Sequence, residues 1–145
     1  MSRTPRTAAP LVEGPRWYRG RIRLLGPLVA LVVPGAIGLV AYLSLQLFDT
    51  AWSGAVGLIG GVVAAPVLLL VGAPFGDRAV YPIAVLASAG LWIGVGWLAA
   101  RRATRNPVAD WAEYWKQLVP LMIGIWAGAC AALAIAAFFI GDSLF

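Results

Sequence analysis

Residues 24–48, LLGPLVALVVPGAIGLVAYLSLQLF, form an uninterrupted run without a charged side chain. At about 1.5 Å per residue, a helix of this length outreaches a bilayer core of about 30 Å. The same silence extends outward. Between Leu24 and Ala100 the only charges are Asp49, Asp77 and Arg78, and residues 117–141, QLVPLMIGIWAGACAALAIAAFFIG, carry none. With 61% of residues hydrophobic and 12% charged, the chain lies well outside soluble composition. The sequence predicts an all-α integral membrane protein, with four transmembrane helices in a small bundle.

The spans are expected at about 26–48, 51–73, 80–100 and 118–140, all in one membrane domain, 24–145. Asp49-Thr50 is a connection so short that spans one and two should form an antiparallel hairpin. Pro74 to Arg78 is a turn-rich link into span three. The long loop begins at Arg101-Arg102-Ala103-Thr104-Arg105, and Asn106-Pro107 has the character of a helix start. Trp111, Tyr114, Trp115 and Leu118 recur at helical spacing on one face, opposite Asp110, Glu113, Lys116 and Gln117. This pattern predicts a short interfacial amphipathic helix before the last span. A plain aromatic belt at the start of that span accounts for it equally well.

Residues 1–23 are a basic arm, expected to be loosely ordered, with Arg3, Arg6, Arg16, Arg19, Arg21 and Arg23 against the single acid Glu13. Pro5, Pro10 and Pro15 argue against regular structure there. The apolar run that follows is too long for a signal peptide and is taken as a retained first span. Arg16, Arg19, Arg21 and Arg23 are candidates for an anionic-lipid or topology anchor, at about 1 kcal/mol each near a charged leaflet. No folded basic domain is present to bind nucleic acid.

Orientation carries a conflict. Positive-inside counting puts the arm in the cytoplasm. Four spans then give that side seven cations, Arg78 included, and leave Arg101, Arg102, Arg105 and Lys116 on the other. If one of the two proline-interrupted first segments fails to cross, both clusters fall on one side. Each segment is long enough to cross, so four spans with cytoplasmic termini are preferred. The Ala, Gly, Val and Arg content suggests a high-GC bacterium, hence a multi-pass protein of its inner membrane.

The absence of histidine argues against zinc, haem and His-based general-base sites. The nearest carboxylate pair, Asp110 and Glu113, is read as an exposed helix face. No catalytic residue, metal or cofactor is expected, and the chain is not expected to be an enzyme. Ion-coupled transport normally retains a charge inside the membrane, and none is found. Cys130 is read as a small packing residue.

The positive signal is glycine. Ser53, Gly57, Gly61 and Ala65 repeat every four residues, and Gly90/Gly94 and Gly124/Gly128 do the same in spans three and four. Small faces let helices approach closely in lipid. Trp92 and Trp126 each stand between two of these glycines, deeper than interfacial tryptophan, so their indole N–H groups need acceptors. The surface made by these residues serves either packing within the bundle or a partner. Pro34 and Pro66 lie at matching depth and are read first as tolerated kinks.

The functional expectation is a non-catalytic accessory, stabilising or assembly subunit of a larger membrane complex. Its partners would be the lipid bilayer and other membrane subunits, or copies of itself. The alternative is a passive oligomeric channel, transporter or lipid-handling protein with a cavity near Pro34 and Pro66.

Overall fold

A computed structural model describes residues 15–48, 50–72 and 77–142. Among these residues there is no strand. The helices are α1 (Pro15–Val29), α2 (Val32–Leu47), α3 (Ala51–Ala64), the single turn α4 (Val67–Leu70), α5 (Tyr81–Ala103) and α6 (Trp111–Asp142), with a 3₁₀ turn at Arg78–Val80 before α5. Three helical stretches are long and apolar enough to cross a membrane: Trp17–Leu47, Tyr81–Ala103 and Trp111–Ile135.

The second expected span is not one helix. Pro66 has no N–H to continue the ladder, and α3 stops at Ala64 after 14 residues. That length is about 21 Å, short of a bilayer core. The chain turns through α4 and reaches Gly72, whose φ of 75° suits a residue without Cβ.

The first span bends where Pro34 removes another bond. Ala30 and Leu31 form a turn there, with Leu31 N–H donating to the Leu28 carbonyl at 3.0 Å. The expected loose arm is corrected in its last part. Residues 15–23 are helical and continuous with the first span, and Arg19 and Arg23 find acceptors on Thr104, which caps α5. Residues 1–14, with Arg3, Arg6 and Glu13, lie outside the described residues.

The expected interfacial helix also differs. It is the first two turns of α6, since Pro120 costs the helix only the hydrogen bond to the Lys116 carbonyl. Its aromatic face is turned into the protein: Tyr114 and Leu118 are fully buried, Trp111 is half-buried, and only Trp115 reaches the surface. The Tyr114 hydroxyl donates to the Gly26 carbonyl of α1 at 2.5 Å.

Two antiparallel pairings set the architecture. α2 and α3 form the hairpin that the tight turn predicts, opened by a capping box. In it Thr50 Oγ1 accepts from Ser53 N–H at 3.3 Å, and Ser53 Oγ accepts from Thr50 N–H at 3.2 Å. α1 lies antiparallel to the C-terminal half of α5, with Gly26 against Ala100 and Gly96 against Ala30. α6 runs back along α5. Ile22, Ala30, Trp92, Ala99, Ala100, Tyr114, Leu118 and Met122 meet as the buried core.

The four preferred crossings are not confirmed, since three helical stretches reach the length a crossing needs. Arg19 Nη2 donates to the Thr104 carbonyl at 3.0 Å, and Arg23 Nε donates to Thr104 Oγ1 at 3.1 Å. The arginines of α1 and those that end α5 therefore share one end of the bundle, where four full spans would have separated them.

Candidate functional site

Near the middle of α5 and α6, α3 comes to its end. A helix leaves its last carbonyls without intrahelical donors, and in hydrocarbon an unmet carbonyl costs several kcal/mol. The carbonyls of Val63 and Ala64 would ordinarily accept from the N–H groups of Val67 and Leu68. After the break at Pro66, Val67 N–H instead donates to Ser88 Oγ at 3.2 Å, and Leu68 N–H to the Ala65 carbonyl at 2.9 Å. Two indoles replace them. Trp126 Nε1 donates to the Val63 carbonyl at 3.1 Å, and Trp92 Nε1 to the Ala64 carbonyl at 2.7 Å. The two rings meet edge to face with centroids 6.2 Å apart. The deep tryptophans thus form a bracket that closes a broken helix at mid-depth.

Above this bracket, between the α2–α3 hairpin and α5, lies an apolar groove of about 690 Å³, partly open on one side. Pro34 stands in its wall, and Ala64, Ala65 and Trp92 form its floor. Its lining has no charged side chain, and its ring hydroxyls come from Tyr42 and Tyr81. Glycine makes the space. A Cβ placed on Gly35, Gly54 or Gly61 would meet no heavy atom within 4 Å, and all three residues line the groove.

The predicted glycine surface therefore divides. Gly57 is a docking position, because its Cβ would fall on the Leu45 side chain; Gly61, one turn later, faces the groove. Gly90, Gly94, Gly124 and Gly128 meet nothing within 4 Å and lie on exposed faces, opposite the inward Trp92 and Trp126. The closest approach to another helix's backbone went unselected in the sequence. A Cβ on Gly96 would sit 2.6 Å from Ala30 Cβ, 2.8 Å from the Gly26 carbonyl oxygen and 2.9 Å from Pro27 Cα. Gly26-x-x-x-Ala30 and Gly96-x-x-x-Ala100 carried the signal, diluted by the abundance of alanine. Gly60 against Ala41 is a second such omission.

The charged residues gather elsewhere. Arg19 and Arg23 sit on Thr104, Arg21 stacks over Trp17 at 4.1 Å, and Arg101 lies over Trp97 at 5.1 Å. Arg16 lies in α1, although its side chain is outside the described residues. Lys116 pairs with Glu113 at 3.4 Å on the exposed face of α6. Among the described residues no three His, Cys, Asp or Glu side chains gather as metal ligands would. The arrangement offers an apolar volume in one half of the bundle and cationic groups at the far end.

Comparison with protein-family models, curated proteins and solved structures gives no match to this chain.

Proposed function

We propose that this chain is a non-catalytic, lipid-handling membrane protein that crosses three times and holds one acyl chain in the α2–α5 groove. α3 and α4 enter the bilayer from the side opposite the arginines and return to that side. By the positive-inside bias, the arginine end faces the cytoplasm, which in a bacterium makes this an inner-membrane protein.

The observation that carries the reading is the match between groove and leaflet. From Tyr81 at the rim to Trp92 at the floor is half the length of α5, about 16 Å, and one leaflet of hydrocarbon is about 15 Å deep. Its volume lies in the range of about 300–1,000 Å³ typical of small-molecule sites. Water gains nothing in a cavity with so few polar partners, so hydrocarbon fills it. The lining offers no charge to a headgroup, which stays at the rim beside Tyr42 and Tyr81. This favours holding a chain over carrying a headgroup across.

Photo-crosslinking from a phospholipid with a diazirine at the chain end tests the reading. Label should concentrate on Ala65, Ala89 and Trp92, and should fall away in Gly35→Leu and Gly61→Leu, whose side chains fill the groove. Even labelling of the outer residues Leu39 and Ile123, unchanged by those variants, would sink it.

The accessory-subunit reading keeps one observation of its own. Among the described residues, a Cβ at Gly90, Gly94, Gly124 or Gly128 would meet no heavy atom within 4 Å, so these small faces suit another helix. Such a partner would co-purify in mild detergent and be lost on Gly94→Leu or Gly128→Leu.

A further inference from the structure

At the end of the bundle remote from the groove, two guanidinium groups converge on one residue. Thr104 is fully buried, and its carbonyl and hydroxyl take one hydrogen bond each from Arg19 and Arg23. Both donors come from the same face of α1, one turn apart. Arg102 and Arg105 flank Thr104 in sequence and are exposed. Among the described residues no carboxylate lies within ion-pair distance of Arg19 or Arg23, and Glu113 is engaged by Lys116. The C-terminus of α5 supplies a negative pole of only about half a charge, far less than the cations gathered there. Two cations held on one residue without an acid make a local positive potential that attracts an anion from outside.

The geometry suits a tetrahedral anion. Each arginine spends one of its five N–H donors on Thr104. Arg23 gives its Nε–H, so its two Nη groups stay available as a fork, the arrangement that grips phosphate with two parallel bonds. Trp17 and Trp97, under Arg21 and Arg101, are the tryptophans expected where headgroups meet hydrocarbon.

We infer that Arg19 and Arg23, oriented by Thr104, form a binding site for the phosphodiester of an anionic phospholipid. The lipid belongs to the leaflet opposite the groove and ties α1 to the end of α5. Its phosphate adds a bridge at the rim of two helices that already meet there through Ile22, Ala100 and Ala103. This differs from a diffuse basic surface, in which every exposed arginine contributes alike.

The test uses the full chain in phosphatidylcholine nanodiscs, titrated with phosphatidylglycerol, with bound lipid counted by native mass spectrometry. A surface potential alone predicts about a fivefold loss for any one arginine removed. The built site predicts more than about tenfold for Arg19→Gln or Arg23→Gln, where charge and fork are both lost. Arg21→Gln and Arg102→Gln should stay near the surface-potential value. Thr104→Val keeps every charge but frees the Arg23 side chain, and should still weaken binding several-fold. Equal losses for all four arginines, or an unchanged Thr104→Val, would overturn the site. Unfolding temperature in pure phosphatidylcholine separates misfolding from lost binding; if a glutamine variant unfolds early, Thr104→Val decides. Displacement of the lipid by inorganic phosphate alone would assign the site to free phosphate and overturn the phospholipid assignment.

Discussion

Trp92→Phe removes one N–H from the interior and leaves most of the aromatic volume in place. The Ala64 carbonyl then has no donor, because the Leu68 N–H that would serve it in an intact helix is committed to Ala65. An unmet buried acceptor costs about 1–3 kcal/mol. The smaller ring, in a site that is 1% exposed, adds about 1 kcal/mol of lost packing. Interhelical hydrogen bonds in membranes average nearer 0.6 kcal/mol, because loosened helices find other partners. A carbonyl at the end of a broken helix has less choice, so the expected loss is about 2–4 kcal/mol. Trp126→Phe should cost less, since its bond is longer and its ring only half-buried. The double variant should cost less than the two singles added, because both indoles hold the same helix end. Reversible unfolding in mixed micelles, with exposed Trp97→Phe as the control, measures all four. A Trp92→Phe variant within about 0.5 kcal/mol of that control would refute the capping role.

Gly96→Ala should destabilise by about 1–3 kcal/mol, because its Cβ meets Ala30 and the backbone of Gly26 and Pro27. Gly94→Ala, with nothing within 4 Å, should be neutral or gain up to about 1 kcal/mol from helix propensity, and thermal unfolding in detergent separates the two. In a Cys130→Ser background, a cysteine at position 105 should react with impermeant maleimide from the side of an N-terminal tag, and one at position 77 from the other. Four full crossings would put position 105 opposite the tag.

The helical class was legible because long uncharged runs admit little else. What failed to show was where those runs stop being straight. Pro34 and Pro66 are the same residue at similar depth in equally apolar segments, yet one bends a helix and the other ends it. The difference lies in distant partners. At Pro66 the severed carbonyls find Trp92 and Trp126, 28 and 63 residues along the chain, and the freed Val67 N–H finds Ser88. No local window contains those residues. Counting four crossings from segment length alone set the Arg101–Lys116 loop away from the arm, whereas Arg19 and Arg23 meet Thr104 at one end of the bundle. The need of the deep indoles for acceptors was readable in advance, but the acceptors were not.

The broken helix ties the remaining features together. An α3 that crossed completely would carry its carbonyls to the far surface, leaving the two deep tryptophans without their acceptors and the arginines on opposite ends. Stopping at mid-depth creates a floor, and the floor makes the space between α2 and α5 a groove instead of a through-passage. The glycines follow from the same geometry: Gly57 and Gly60 bring α3 against α2, whereas Gly35, Gly54 and Gly61 keep the groove clear. Filling the groove therefore tests its occupancy without touching the bracket, and Trp92→Phe tests the bracket while leaving the groove glycines intact. If Gly61→Leu abolished folding as completely as loss of both indoles, the groove would be packing space left unfilled, and the lipid reading would lose its support.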